Sequence, residues 1–436
     1  MYLERLELSN FRRFEKLNLD FHKQLTVLVG NNGVGKTAAL EAAAIAIGTL
    51  FHKMENVSGL KFKNTDATLK AFSLGSTEDV QSQYPVSISA TGIIGEKRGT
   101  WTRSLNGKEK NTTIKDAKFI TSISEEYQMR LQKGDASLTL PMIAYYGTSR
   151  LWDYHREKKA DTFETNTRTN GYVDCLDGTA NIKLMMKWFS KMTVQKYQRQ
   201  EENLGLIPEL DVVYSAMEQC FASVTEYTDV KISFNLDTGN LDVYYTNQDG
   251  TRMKMPLSQM SDGYKSTISL IADIAYRMAV LNPQLLGDVL TETDGIILID
   301  EIDQHLHPAW QQRILKDLTR IFPKVQFIVS THAPAVINSV KSENLLILKD
   351  NQAEKTAQQV YGKDVNSVLG EIMGVSERPK EVAELFDEFY KQMGAKMFDK
   401  AESVLNQIDE LRDYHDAEAT GCRVKLKLER MRGGRS

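Results

Sequence analysis

With 436 residues, 41% hydrophobic and 26% charged, the chain has a globular composition and room for one large α/β domain with an insertion and an appendage, or for two domains. A net charge of -4 argues against wholesale non-specific nucleic-acid binding and leaves space for a local basic patch. No apolar run approaches the roughly 18 residues of a membrane span, Met1-Tyr2-Leu3-Glu4 does not open a signal peptide, and Cys175, Cys220 and Cys422 form no CxxC pair, so a cytoplasmic chain with buried, unbridged cysteines and no membrane partner is expected.

In chain order, the first fifty residues read strand, strand, strand, loop, helix. Leu17, Leu19 and Phe21 alternate with Asn18 and Asp20 as on a half-buried strand, whereas 25–29 is nearly all apolar, as in a central strand. A glycine-rich turn leads into a helix over 37–50 so rich in Ala, Leu and Ile that it must be covered on most sides. Residues 51–85 read as a polar surface excursion. Strands follow at 86–90 and 100–103, with Asn106-Gly107 as the hairpin turn, and at 141–146. From 151 to 228 the chain turns to loop and then helix, at 182–199 and 210–227, without the sustained heptads of a coiled-coil arm. A hairpin over 231–247 breaks at Asp237-Thr238-Gly239-Asn240. A helix over 264–281, a strand at 295–299, a helix after Pro308 and strands at 325–330 and 345–348 complete an α/β series, and the rest reads as charged helix with no further strand.

The chemistry concentrates at four places. Gly30-Asn31-Asn32-Gly33-Val34-Gly35-Lys36-Thr37 fits a phosphate-binding P-loop and sits between an apolar strand and a helix, as that motif requires. Its glycines let backbone N–H groups turn onto phosphates at a helix N-terminus, Lys36 suits the β- and γ-phosphates, and Thr37 suits Mg2+. An apolar strand ending in Asp300-Glu301 supplies one carboxylate for the Mg2+ shell, through water, and one to polarise an attacking water. His332 ends the following strand, at the sheet edge where such folds bind ligands, and is a candidate γ-phosphate contact. Ser261-Asp262-Gly263 precedes a helix; a helix cap accounts for Ser261 without accounting for Gly263.

The order P-loop, S-x-G before a helix, Asp-Glu strand and His strand resembles the ABC-type ATPases of the SMC, RecF and OLD group, over roughly residues 1–350. The opening Leu6-Glu7-Leu8-Ser9-Asn10-Phe11-Arg12-Arg13-Phe14 is similar to that group's first strand. The resemblance implies ATP and Mg2+ as ligands, Glu301 as general base, His332 as switch histidine, Arg12 or Arg13 as a nucleotide contact, and Ser261 and Gly263 as a signature motif that reaches the γ-phosphate held by a partner copy. The sequence departs from the pattern at Tyr264, where Gln or a similar residue is usual, and at 145–150, where no Q-loop glutamine is evident; Arg150 there is either a site residue or a surface ion pair. His305 and His307 invite a metal, although a loop leading into a helix is the favoured role. The implied fold is an α/β ABC-type P-loop ATPase head with a mainly helical insertion and a helical C-terminal appendage. Its parts are a first lobe at 1–150, the insertion at 151–228, a second lobe at 229–350 and a partner-docking region at 351–436.

Beyond His332 there is no Asp-x-Asp pair for a Toprim nuclease. Tyr361-Gly362-Lys363-Asp364-Val365-Asn366-Ser367-Val368-Leu369 and Met373-Gly374-Val375-Ser376-Glu377-Arg378-Pro379 resemble PtuA, the ATPase of the Septu anti-phage systems, some of them joined to retrons. That resemblance implies an ATPase that hydrolyses ATP between head-to-tail copies of itself, as a dimer or higher even oligomer, and controls a separate PtuB-like HNH nuclease, with no nuclease of its own. Nucleic acid, including retron RNA or DNA, is a further candidate partner, and the alternatives are a RecF-like repair ATPase acting directly on DNA and a nuclease in its own right. Two helical stripes, Val382, Leu385, Phe386, Phe389 and Met393, then Met397, Ala401, Val404, Ile408 and Leu411, are either core or part of a nuclease dock. The basic terminus Arg423, Lys425, Lys427, Arg430, Arg432 and Arg435 reads as a nucleic-acid contact or a solvated tail.

Overall fold

The computed structural model describes residues 1–149, 167–178, 182–225, 227–356, 358–375, 378–411 and 417–433. Arg150, Arg435 and Ser376-Glu377 of the tail motif lie outside them. The chain forms two compact units, Met1–Lys363 and Asp364–Ser436.

The first unit opens with β1 (Tyr2–Phe11), β2 (Phe14–Asp20), β3 (Leu25–Val29) and α1 (Lys36–Ile47). An exposed hairpin, β4 (Leu69–Leu74) and β5 (Thr77–Ser82), precedes β6 (Val86–Ile94), β7 (Lys97–Leu105), α2 (Lys118–Gln132) and β8 (Met142–Tyr146). Next come α3 (Ile182–Glu201), α4 (Pro208–Val224), β9 (Thr228–Asn235), β10 (Asn240–Thr246), β11 (Arg252–Pro256) and α5 (Asp262–Leu281). The unit closes through α6 (Val289–Glu292), β12 (Gly295–Ile299), α7 (Pro308–Gln311), α8 (Ile314–Ile321), β13 (Val325–Thr331), α9 (Pro334–Ile337), β14 (Leu345–Lys349) and β15 (Gln352–Lys355).

Strands β3, β8, β12 and β13 are buried at every residue, which is why they read as apolar runs rather than alternations. They belong to a six-stranded sheet of order β15-β14-β3-β13-β12-β8, parallel except for β15. A second, antiparallel sheet has the order β2-β1-β6-β7. Helix α1 packs against β6 and β7 of this sheet and against β8, β12 and β13 of the other, so its Ala-rich sequence is covered as expected. Trp101 Nε1 donates to the carbonyl of Ala46 at 2.9 Å and ties the helix end to the antiparallel sheet.

Four features depart from the sequence expectation. The β6–β7 turn falls at Gly95, with φ +60°, and Asn106-Gly107 follows β7 instead. Helix α2 went unread although Ile120, Ile123 and Tyr127 are buried at helical spacing. The hairpin over 231–247 gains a third strand, β11, whose Arg-Met-Lys-Met alternation is short and largely exposed. Strand β15 pairs with β14 beyond residue 350, which carries the first unit to Lys363.

The second unit consists of α10 (Val365–Glu371), α11 (Lys380–Gly394), α12 (Phe398–Glu410) and α13 (Ala417–Gly433). Its core is Phe386, Phe389, Ala401, Leu405, Ile408, Ala419, Cys422 and Leu426, with Val382, Leu385, Met393 and Val404 packed on it. The two helical stripes therefore face each other and α13; they are core, and the reading of them as a nuclease dock is corrected. Only Met397 and Leu411 of the stripes are exposed. Arg423 is paired with Asp409, and Arg430 with Asp399 and Glu402, so part of the basic terminus already has acidic partners within this unit.

Candidate nucleotide site

Strand register brings the motifs together. Val29 of β3 lies opposite Thr331 of β13, and Val329 of β13 lies opposite Ile299 of β12. The segments that follow these three parallel strands, the P-loop, His332 and Asp300-Glu301, therefore leave the same sheet edge side by side, where open α/β sheets bind ligands. Gly35 has φ +100°, and a Cβ there would stand 2.4 Å from the Phe14 ring, so the loop needs glycine both for its backbone and for its packing on β2. Lys36 begins α1, so the loop's N–H groups lie at the positive end of a 12-residue helix.

The acidic pair is held by one hydroxyl. Thr37 Oγ1 donates to Asp300 Oδ2 at 2.7 Å. The other Asp300 oxygen accepts from Ser330 Oγ, which itself accepts from the Glu301 backbone N–H at 2.8 Å. Glu301 has φ +46°, a sparsely populated conformation for a residue with a side chain, and the Ser330 bond helps to hold it there. Asp303 supports the next strand end, accepting from Thr331 Oγ1 and from the His332 N–H at 3.3 Å.

Lys36 is buried; its Nζ donates to the carbonyls of Gly30 at 2.7 Å and Asn31 at 3.1 Å and lies 3.4 Å from His332 Nδ1. Burial pulls its pKa below the usual lysine value, although Asp300, Glu301 and Asp303 oppose that shift. His332 Nε2 stands 4.0 Å from Glu301 Oε1. Burial first, and the Lys36 charge second, hold the His332 pKa below 6.5, so the imidazole is neutral at pH 7. The unfolded chain then binds the more protons just below pH 6.5, so stability from this group is present above 6.5 and lost as pH falls through the folded value. An NMR titration should place the His332 midpoint below 6.5, and Lys36→Met should move it upward without restoring 6.5, because burial remains. A native midpoint at or above 6.5 would contradict this electrostatic reading.

Arg12, Arg13, Asn32, Gly33, Gly35, Lys36, Thr37, Asp300, Glu301 and His332 line one cavity of about 450 Å³. Arg12 has φ +53° and is ion-paired with both Glu41 and Asp66; its partners attract it enough to raise its pKa although burial opposes this. Arg13 donates to the Gly33 carbonyl and to Asn351 Oδ1, the latter at 2.9 Å. Ser330, Asp303, Glu41, Asp66 and Asn351 were not singled out in the sequence, because ordinary polar residues acquire a role here only through contacts that strand register or chain folding creates.

Ser261 and Gly263 are not in this cavity. Ser261 occupies the N-cap position of α5, but its exposed side chain bonds no helix N–H, so the cap reading is corrected. Gly263 is needed for space: a Cβ would lie 2.9 Å from the His305 carbonyl oxygen and 3.2 Å from Trp310. Tyr264, the departure from the usual signature, sets its ring 4.3 Å from that of Trp310 and 5.2 Å from that of Phe221. It is a packing residue joining α5 to the segment after Glu301. His307 caps α7, its Nδ1 accepting from the Ala309 N–H at 3.3 Å, in keeping with the helix-start reading.

The chain is similar to several known proteins. Residues 5–211 match the family described as AAA domain. The chain is 26% identical over 434 residues to the retron Vc95 probable ATPase of Vibrio cholerae serotype O1 biovar El Tor, covering 86% of this chain and 80% of that one. It is 25% identical over 431 residues to the Septu protein PtuA of Bacillus thuringiensis, covering 94% and 93%. Among solved structures, the SMC head domain from Thermotoga maritima is similar with a TM-score of 0.43 and 15% identity, covering 83% of this chain and all of that one. Among the described residues, no helix is long and apolar enough to cross a membrane.

Proposed function

Taking the chain as an ATPase related to the retron and Septu ATPases, we propose that it is the ATPase subunit of an anti-phage defence system, hydrolysing ATP at a site shared between two copies of itself. The observation that carries the catalytic part is the Thr37–Asp300 bond of 2.7 Å beside Lys36, Glu301 and His332 in one cavity. A phosphate-binding loop and an acidic strand end in such contact are the two halves of an ATP·Mg2+ site.

The residues fit both ligands. Backbone N–H groups of 30–37 and the Lys36 ammonium would bind the phosphate chain, while Arg13, already bonded to Gly33, fixes the loop. Thr37 and Asp300 would hold Mg2+, Asp300 through water; the ion supplies charge neutralisation on the phosphates. Glu301 is the group placed to orient water and take its proton. Neutral His332, with Lys36 at its Nδ1, can donate through one nitrogen to a γ-phosphate oxygen. Ser261 and Gly263, outside their own chain's cavity, reach the nucleotide of a partner copy in this reading, and Arg12, clamped by Glu41 and Asp66, shapes the rim.

ATP occupancy would control a separate HNH nuclease of the PtuB kind. With the apolar stripes turned inward, the dock on the second unit lies on its polar faces. A chain ending at Lys363 should stay folded, bind ATP with unchanged affinity and fail to co-purify with that nuclease. Retention of the nuclease by the truncated chain would move the dock to the first unit.

A further inference from the structure

A buried polar network joins the acidic strand end to helix α5, which contributes no residue to the nucleotide cavity. Tyr146, the last residue of β8, serves it with both its backbone and its side chain. Its carbonyl accepts from the Asp300 N–H at 2.8 Å, and its fully buried hydroxyl donates to Asp273 Oδ2 at 2.7 Å. Asp273 lies in the fourth turn of α5, and the same oxygen accepts from Arg277 Nε at 2.7 Å, one turn further on. Arg277 then donates to the carbonyls of Gly171 at 2.9 Å and Val173 at 2.8 Å. Both members of the ion pair are 1% exposed. Burial, with Asp273 beside it, pushes the Tyr146 hydroxyl far above its usual pKa, so it remains a donor at physiological pH. Burial works against the Arg277 charge, but Asp273 outweighs it and holds the guanidinium protonated.

Apolar residues of similar volume would fill this space at least as favourably, because a buried ion pair repays little of its desolvation cost. What such a network does supply is a fixed geometry, since each bond has one low-energy arrangement. Here the two ends of that geometry are Asp300, which holds Thr37, and the helix whose first turn carries Gly263.

We propose that Tyr146, Asp273 and Arg277 are positioning residues that couple the acidic strand end of one copy to the signature helix it presents to its partner. The proposal rests on the shared-site reading. Occupation of a copy's own cavity moves or steadies Asp300, Tyr146 follows through its carbonyl, and α5 is set through Asp273. Tyr146→Phe removes the hydroxyl and keeps the ring, while the strand bond to Asp300 is untouched. Tyr276→Phe is the matched control, because the Tyr276 hydroxyl lies on the same helix, fully buried, and has no hydrogen-bond partner among the described residues.

The test measures ATP-dependent self-association and ATP affinity, each in the Glu301→Gln background. With Tyr146→Phe, the ATP concentration needed for half-maximal association should rise by about tenfold or more, while affinity for ATP at dilutions where the chain is monomeric stays within about twofold. Tyr276→Phe should change neither. The Hill coefficient for hydrolysis by the Tyr146→Phe chain, otherwise native, should fall towards 1. If both Phe variants weaken association equally, the effect is general core loosening and the proposal fails. If Tyr146→Phe associates as the parent does, the coupling fails while the shared site stands. If Glu301→Gln itself does not associate with ATP, the shared-site reading falls and the coupling falls with it. Should Tyr146→Phe prove unstable, Asp273→Asn provides the second variant. It keeps an oxygen for the Tyr146 hydroxyl and lacks the charge for Arg277, and a folded Asp273→Asn chain with parental association and Hill coefficient overturns the proposal.

Discussion

Lys36→Ala is expected to lose measurable ATP binding, whereas Glu301→Gln keeps binding and loses turnover. The two effects separate because, in the proposed site, neutralising phosphate charge and activating water would fall to different side chains. Lys36 is already desolvated in the P-loop, where its ammonium meets two carbonyls. Each hydrogen bond from such a charge to a phosphate oxygen contributes about 1.5–3 kcal/mol, so losing the two expected to the β- and γ-phosphates raises the dissociation constant by roughly 100-fold or more. Removing a general base lowers turnover by about 10²–10⁴-fold, and Gln at position 301 preserves size and the backbone bond to Ser330. Calorimetry for binding and phosphate release for turnover separate the outcomes. Equal ATP affinity for Lys36→Ala and the native chain would remove the P-loop assignment.

The second large effect is complementation. Ser261→Arg should block hydrolysis while leaving ATP binding at its own P-loop, since Ser261 lies outside that cavity and its side chain makes no helix-cap bond whose loss would unfold α5. Lys36→Ala blocks hydrolysis for the opposite reason. In a two-fold dimer of one chain of each kind, one seam combines both defects and the other combines two native halves. Mixed dimers should therefore recover roughly half of native activity, although each variant alone is inactive. Verified mixed dimers with no more activity than either parent would exclude a site built across the seam.

That the glycine-rich loop, the acidic strand end and the histidine strand end would meet was legible because each coincides with a strong local pattern. An apolar five-residue strand followed at once by glycines or carboxylates can occupy few places in a fold, and β3 and β12 are buried at every position. What was not legible depends on residues far apart in sequence. Ser330 gains its role only because β13 lies between β3 and β12, and Asp273 only because α5 passes behind β8. Tyr264 read as an anomaly in the signature until Trp310 and Phe221 appeared beside it. The C-terminal stripes show the converse limit, because an amphipathic helix announces that one face is covered without saying by what; α11, α12 and α13 cover one another. Strand β11 offers only the brief alternation of Met253 and Met255 between charged residues and is largely exposed, and β15 is four residues long with a single apolar residue.

The most direct test of a site shared between copies is the mass of the Glu301→Gln chain in solution, by light scattering, in ATP·Mg2+ and then in ADP·Mg2+. The 49.4 kDa chain should shift to a higher even multiple with ATP and fall back with ADP, because only the triphosphate supplies the γ-phosphate that Ser261 and Gly263 of the other copy would grip. A mass that is the same in ATP and in ADP, with ATP binding confirmed, would contradict the account.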